Sequence, residues 1–108
     1  MWAQPLGSLS ECRLADEIIS MNIRIEGEVQ GVGFREFAMR EANSRGLKGW
    51  VRNRADETVE IVACGLRSDV EAFITACIAG PRGSRVTACN LEPAELPTNL
   101  GFTRRPSV

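Results

Sequence analysis

The sequence predicts an α+β domain in which two helices cover one face of a mostly antiparallel sheet. Three observations indicate this class. The hydropathy pattern changes along the chain between the two-residue period of strands and the longer period of helices. The patterned segments follow one another in the order β-α-β-β-α-β. The chain has 108 residues, 44% hydrophobic and 25% charged, which is typical of one globular domain with its own core.

The first regular pattern begins at Met21. We interpret residues 1–20 as a weakly ordered N-terminal extension, because polar and apolar types are mixed there without a sustained period. Apolar and charged residues alternate over residues 22–29, which predicts a half-buried strand. A glycine-punctuated turn follows. Residues 34–45 then carry apolar side chains at helical spacing, and Gly46 is placed to end that helix.

A hairpin and a second helix are predicted next. Residues 47–53 and 58–64 have strand patterns and are separated by the short turn 54–57, so we expect them to pair. The helix is expected to begin at a capping box. In this motif the Ser68 side chain caps the amide of Glu71, whose own side chain reaches back.

The rest of the chain completes the element order. The glycine-proline pair at 80–81 ends the second helix. Residues 84–92 predict a fourth strand, and residues 101–104 a short final one. This order suits the ferredoxin-like β-α-β-β-α-β sandwich, with two helices on one face of the sheet.

Composition excludes several classes of function. The chain has no histidine and no tyrosine, so it has no imidazole base, His-ligated metal or phenol acid. Its four cysteines are scattered without zinc spacing, and we expect no metal. Free thiols and an N-terminus unlike a secretory signal favour the cytoplasm. No apolar run approaches the roughly 18 residues that span a bilayer, so no membrane contact is expected. A net charge of −1 argues against binding nucleic acid.

The segment from Gly27 to Arg35, GEVQGVGFR, joins the first strand to the first helix. Gly31 and Gly33 allow backbone conformations that turn successive amides towards one point, which forms an anion nest. The dipole of the following helix adds partial positive charge, and Arg35 in its first turn can grip two oxygens of a bound anion. On these residues alone, a tight strand-to-helix connection remains the commoner explanation of such a turn.

Three segments of the chain resemble the acylphosphatase family, at the separation usual for that family. They are GEVQGVGFR at 27–35, GLKGWVRN at 46–53 and DETVE at 56–60. The similarity covers roughly residues 22–105. It identifies residues 21–108 as an acylphosphatase-like domain.

The resemblance implies a metal-independent enzyme without a cofactor, which hydrolyses small acyl phosphates to a carboxylate and inorganic phosphate. It places the family's phosphate-binding arginine on Arg35 and its water-orienting asparagine on Asn53. The phosphate-binding backbone amides fall on Gln30, Gly31, Val32, Gly33, Phe34 and Arg35. We expect the chain to act as a monomer.

The chemistry of these residues agrees with that implication. A carboxylate is a weakly basic leaving group, so the reaction needs positioning and charge stabilisation more than a strong acid. The Asn53 side chain can hold a water through its carbonyl oxygen but is no base. The proton is therefore expected to pass to a phosphate oxygen of the substrate.

Three residues depart from the family's pattern, and two other functions stay open. Arg45 replaces a commonly apolar position of the first helix. Glu57 stands where the family usually has glycine, so a turn that needs positive φ would be strained there. Glu28 would repel the substrate if its side chain lay near the nest. The alternatives are an anion-binding module without enzymatic activity and a part of a larger carbamoyl-transfer machine.

Overall fold

The computed structural model describes residues 17–108, which form a five-stranded sheet with two helices on one face. The elements in chain order are β1 (Ile18–Glu28), α1 (Phe34–Ser44), β2 (Lys48–Asn53), β3 (Val59–Leu66), α2 (Arg67–Ala79), β4 (Arg85–Pro93) and β5 (Phe102–Arg104). The strands lie side by side in the order β4-β1-β3-β2-β5. All neighbours are antiparallel except β2 and β5. The predicted fold class is confirmed.

Strand alternation decides which face of the sheet the helices cover. In the two central strands, alternate residues such as Ile23 and Ile61 are fully buried under the helices. Each helix contributes three buried residues to this core, which are Phe34, Ala38 and Ala42 from α1 and Val70, Phe73 and Cys77 from α2. The opposite face, here called the open face, carries the polar residues of the same strands.

A bulge bends β1 just before it leads into the glycine-rich turn. The pairing register between β1 and β4 shifts at Glu26 and Gly27. At Gly27 a side-chain Cβ would lie 2.0 Å from the Arg85 carbonyl oxygen, and φ there is +127°. Glycine is therefore required at this point for both space and conformation.

The largest differences from the predictions lie at the start of the first strand and at the start of the second helix. The first strand begins at Ile18, three residues before Met21, because Ile18 pairs with Leu66 at the end of β3. The rest of the predicted extension, residues 1–16, lies outside the described residues. The capping box at Ser68 is wrong. The chain passes directly from β3 into α2, so Leu66 takes the cap position and makes no side-chain capping bond.

Within residues 17–108, neither helix combines the length and the apolar character needed to cross a bilayer.

Candidate active site

A cavity of about 220 Å³ lies where β1 leads into α1 and where β2 ends. It brings together Arg35 and Asn53, the two side chains singled out from the sequence. Its full lining is Val29, Gly31, Gly33, Phe34, Arg35, Glu36, Asn53 and Arg104. In residues 17–108, no three His, Cys, Asp or Glu side chains lie close enough together to hold a metal ion.

The turn that forms one wall of the cavity has the backbone expected of an anion nest. Gly31 and Gly33 both have left-handed conformations, with φ of 76° and 77°. A Cβ at either position would meet no atom within 4 Å, so space is not the constraint. Glycine is favoured at both positions because side chains disfavour positive φ.

The amides of this turn have no protein partner. Among the described residues, no backbone N–H from Gln30 to Arg35 donates a hydrogen bond to a carbonyl oxygen. The first bond of α1 runs from the Phe37 N–H to the Gly33 oxygen, 3.0 Å away. The open amides and the positive end of the helix dipole together make this wall attractive to an anion.

Arg35 and Asn53 are held by their backbones while their side chains stay available. Both are half-buried, and neither side chain makes a hydrogen bond or an ion pair with any residue from 17 to 108. Arg35 is fixed by the first turn of α1. Asn53 is fixed by pairing with Val59, and its carbonyl accepts the Val108 N–H at 3.1 Å.

The side chain of Gln30 joins the nest to the hairpin turn beyond Asn53. Its amide nitrogen donates to the carbonyl oxygens of Arg54 and Thr58, both at 2.9 Å. These two bonds fix the distance between the turn that carries Arg35 and the strand end that carries Asn53. Gln30 and Val32, both predicted as phosphate-binding through their amides, do not line the cavity, and Val32 packs against the core.

Sequence reasoning missed two charged residues of the cavity, Glu36 and Arg104. Glu36 follows Arg35 in the first turn of α1. Arg104 ends β5, where it pairs with Val51, two residues before Asn53. A signal for Arg104 was available, since strand alternation puts it on the same face as the buried Phe102.

The departures from the family's pattern at Glu28 and Glu57 have different outcomes in the structure. Glu28 is exposed and does not line the cavity, so its carboxylate does not face the nest. Glu57 has a φ of 71°, as the strained turn predicts, and no other non-glycine among residues 17–108 has positive φ. Next to it, hydrogen bonds from the Thr58 hydroxyl and N–H hold the pKa of Asp56 below its ordinary value.

The open face carries a separate group of charges. Arg52 points there, away from Asn53, as strand alternation predicts. Its guanidinium and that of Arg54 both reach one oxygen of Glu60, at 2.9 and 2.8 Å. Asn22 donates to the other oxygen at 2.8 Å. Burial raises the pKa of Glu60, but these donors outweigh it and hold the pKa below its ordinary value.

Comparison with known proteins agrees with the fold. A family model described as Acylphosphatase matches residues 21–104. An acylphosphatase of Rhodospirillum rubrum is 44% identical over 86 residues, which are 80% of this chain and 94% of that protein. The crystal structure of acylphosphatase from Bacillus subtilis has a TM-score of 0.77 and 37% identity, and the match covers 82% of this chain and 99% of that one.

A similar domain also occurs in a much longer protein. The crystal structure of full-length HypF in the phosphate- and nucleotide-bound form has a TM-score of 0.77 and 33% identity. The match covers 84% of this chain but only 12% of HypF. The matches to the acylphosphatases of Rhodospirillum rubrum and Bacillus subtilis cover 94% and 99% of those chains. On this evidence the chain belongs to the acylphosphatase family of hydrolases.

Proposed function

We propose that the chain hydrolyses acyl phosphates without a metal ion, with the phosphoryl group in the nest and a water oriented by Asn53. The observation that carries this proposal is the convergence in one cavity of groups that lack protein partners. These groups are the Arg35 guanidinium, the Asn53 side chain and the amides of the lining residues Gly31, Gly33, Phe34 and Arg35. Together they supply positive charge and one neutral hydrogen-bonding group.

The nest and Arg35 act on the phosphoryl group. The open amides and the guanidinium fork bind its oxygens and stabilise the charge they carry in the transition state. The nest is in place before the substrate arrives, since Gly31 and Gly33 have left-handed conformations and Gln30 ties the turn to the hairpin. Such preorganised charge is the main contribution a protein can make to phosphoryl transfer.

Asn53 acts on the nucleophile. Its side-chain oxygen accepts a hydrogen bond from the attacking water and holds it in line with the bond to the acyl oxygen. The water oxygen bonds to phosphorus as the bond from phosphorus to the acyl oxygen breaks. The carboxylate leaves with the electron pair, and one water proton moves to a phosphate oxygen. No protein acid or base is required.

The proposal includes the oligomeric state of the chain and its cellular compartment. Residues of a single chain supply every group that the proposed reaction uses, and we propose that the chain acts as a monomer. Cys64, Cys77 and Cys89 are free thiols, which suits the reducing cytoplasm. Burial raises the pKa of the Cys77 thiol, so this residue behaves as a small apolar group of the core.

The test is hydrolysis of benzoyl phosphate by chelator-treated protein, followed by the change in ultraviolet absorbance. We expect undiminished activity after chelation. Arg35→Ala is expected to lower kcat/KM by about 10²–10³-fold, the usual effect of losing a preorganised charge donor. Asn53→Ala is expected to lower kcat with little change in KM, because Asn53 acts on water and not on the substrate.

Lys48→Ala is the matched control, since Lys48 is exposed at the other end of β2. Its rate should equal that of the wild type. Loss of activity on chelation would contradict the metal-independent reaction. Full activity in Asn53→Ala would remove the role of Asn53 and leave the phosphate site standing.

A further inference from the structure

We propose that Arg104 determines substrate specificity by binding a second anionic group on the acyl part of the substrate. The preferred substrates are then acyl phosphates that also carry a carboxylate or a similar anion a few bonds from the phosphoryl group. This inference rests on the proposed function, because it requires the phosphoryl group to occupy the nest beside Arg35.

The backbone around Arg104 is well anchored at the edge of the sheet. Phe102, two residues earlier, is buried and packs edge-on against Phe73, with ring centroids 6.0 Å apart. On the other side, the Arg105 N–H donates to the Val51 oxygen at 2.9 Å. Alternation between these anchors directs Arg104 to the face of β5 that adjoins the cavity, where it forms part of the lining.

The charge of Arg104 is not compensated by the fold. Its side chain has no carboxylate within 4.0 Å among residues 17–108. The cavity lining holds two guanidinium groups, Arg35 and Arg104, against one carboxylate, Glu36. The site therefore has a net positive charge before the dipole of α1 and the open amides are added.

The two arginines enter the cavity from different elements and suit different groups. Arg35 shares the first turn of α1 with the nest amides, so it is placed to bind the same phosphoryl group. Arg104 comes from the sheet edge beyond Asn53 and is more exposed. A substrate with a single anionic group would leave it unpaired, whereas an acyl phosphate with a second anionic group on its acyl part offers each guanidinium a partner.

The test compares two acyl phosphates of equal chain length, butyryl phosphate and succinyl phosphate. Butyryl phosphate ends in a methyl group, whereas succinyl phosphate ends in a carboxylate. We expect wild-type kcat/KM to be about tenfold higher for succinyl phosphate, the effect of one partly exposed charge-assisted pair. Arg104→Gln should abolish this preference, and Lys48→Gln, which removes a distant positive charge, should keep it.

The preference should appear in KM and weaken at high salt, because it depends on an exposed charge. Inhibition by inorganic phosphate provides a second readout. Arg35→Gln should weaken inhibition by inorganic phosphate strongly, and Arg104→Gln should weaken it only slightly. Equal losses for both substrates in Arg104→Gln would assign this residue to the phosphoryl group and overturn the inference. Equal wild-type rates would overturn it as well. Hydrolysis of neither substrate would contradict the proposed function itself.

Discussion

Two pairs of arginines in this molecule differ in whether a carboxylate neutralises them. On the open face, Arg52 and Arg54 share one carboxylate, that of the nearly buried Glu60. At the cavity on the helix-covered side, Arg35 and Arg104 have no carboxylate partner among residues 17–108. Arg52 and Arg104 belong to neighbouring strands of the sheet, Arg54 lies in the turn after β2, and Arg35 lies in the first turn of α1.

The difference separates charges that stabilise the fold from charges that remain available to a ligand. A guanidinium with a fixed carboxylate contributes to stability but is no longer free for an anion. Guanidinium groups beside open amides repel one another slightly and contribute little until an anion binds. An unpaired guanidinium is therefore placed to bind a ligand where other groups, such as the open amides, line the same cavity.

Replacing Glu60 should give the largest change in stability. Glu60→Gln removes the charge that binds two guanidinium groups and an amide, so we expect the free energy of unfolding to fall by about 2–3 kcal/mol. Urea denaturation measures this loss. Hydrolysis by the folded enzyme should stay within about twofold of wild type, because this carboxylate faces away from the cavity. A large loss of kcat/KM in folded protein would contradict the separation of the two faces.

The same residue predicts a pH dependence with a definite sign. The pKa of Glu60 is lower in the folded protein than its ordinary value of 4.5. Its contribution to stability is therefore fully present above that value and is lost as the pH falls through the lower, folded pKa. Wild-type stability should decline below about pH 5, and Glu60→Gln should decline less steeply. Asp56, whose pKa is also lowered, leaves a residual slope in the variant.

Much of this arrangement follows from local sequence patterns. Alternation in β2 is enough to put Arg52 and Asn53 on opposite faces, and the spacing of Gly31 and Gly33 predicts the left-handed turn before α1. The strain at Glu57 is also predictable, because the turn conformation is set by only a few neighbouring residues. These features depend on interactions within about ten residues.

Of the features missed, Glu36 is local and directly follows Arg35, whereas the others depend on contacts between distant segments. Arg104 reaches the cavity because β5 pairs with β2, about fifty residues earlier, in a register that no local pattern encodes. The burial of Glu60 likewise needs side chains from both neighbouring strands. The Ser68 capping box failed for a related reason, since the sheet pairing of Leu66 carries β3 right up to the first turn of α2.

Gln30 connects the cavity to the hairpin turn, and its replacement should affect both stability and activity. Gln30→Met keeps the length of the side chain but loses both hydrogen bonds to the turn. We expect a loss of about 1–2 kcal/mol in the free energy of unfolding. We also expect a fall of about tenfold in kcat/KM, because a small shift between Arg35 and Asn53 misaligns water and phosphoryl group.

Ser20→Ala is the matched control for Gln30→Met. The Ser20 hydroxyl donates to the Glu95 carbonyl at 3.0 Å, and neither residue lines the cavity. This variant should lose about 1 kcal/mol of stability and none of its activity. If Gln30→Met behaved in the same way, the bonds from Gln30 would be structural only and would not set the geometry of the site.

A substitution in the hairpin turn is expected to have the smallest effect, and it is the one change proposed here that should raise stability. Glu57 has a φ of 71°, which costs a residue with a Cβ about 1–2 kcal/mol. Glu57→Gly removes that strain but adds freedom to the unfolded chain, so we expect a net gain of about 0.5–1 kcal/mol and a rise of a few degrees in Tm. Glu57→Ala loses the charge but keeps the Cβ, and it should gain nothing. An equal gain in both variants would attribute the effect to the removed charge, and the turn would then not be strained by its backbone.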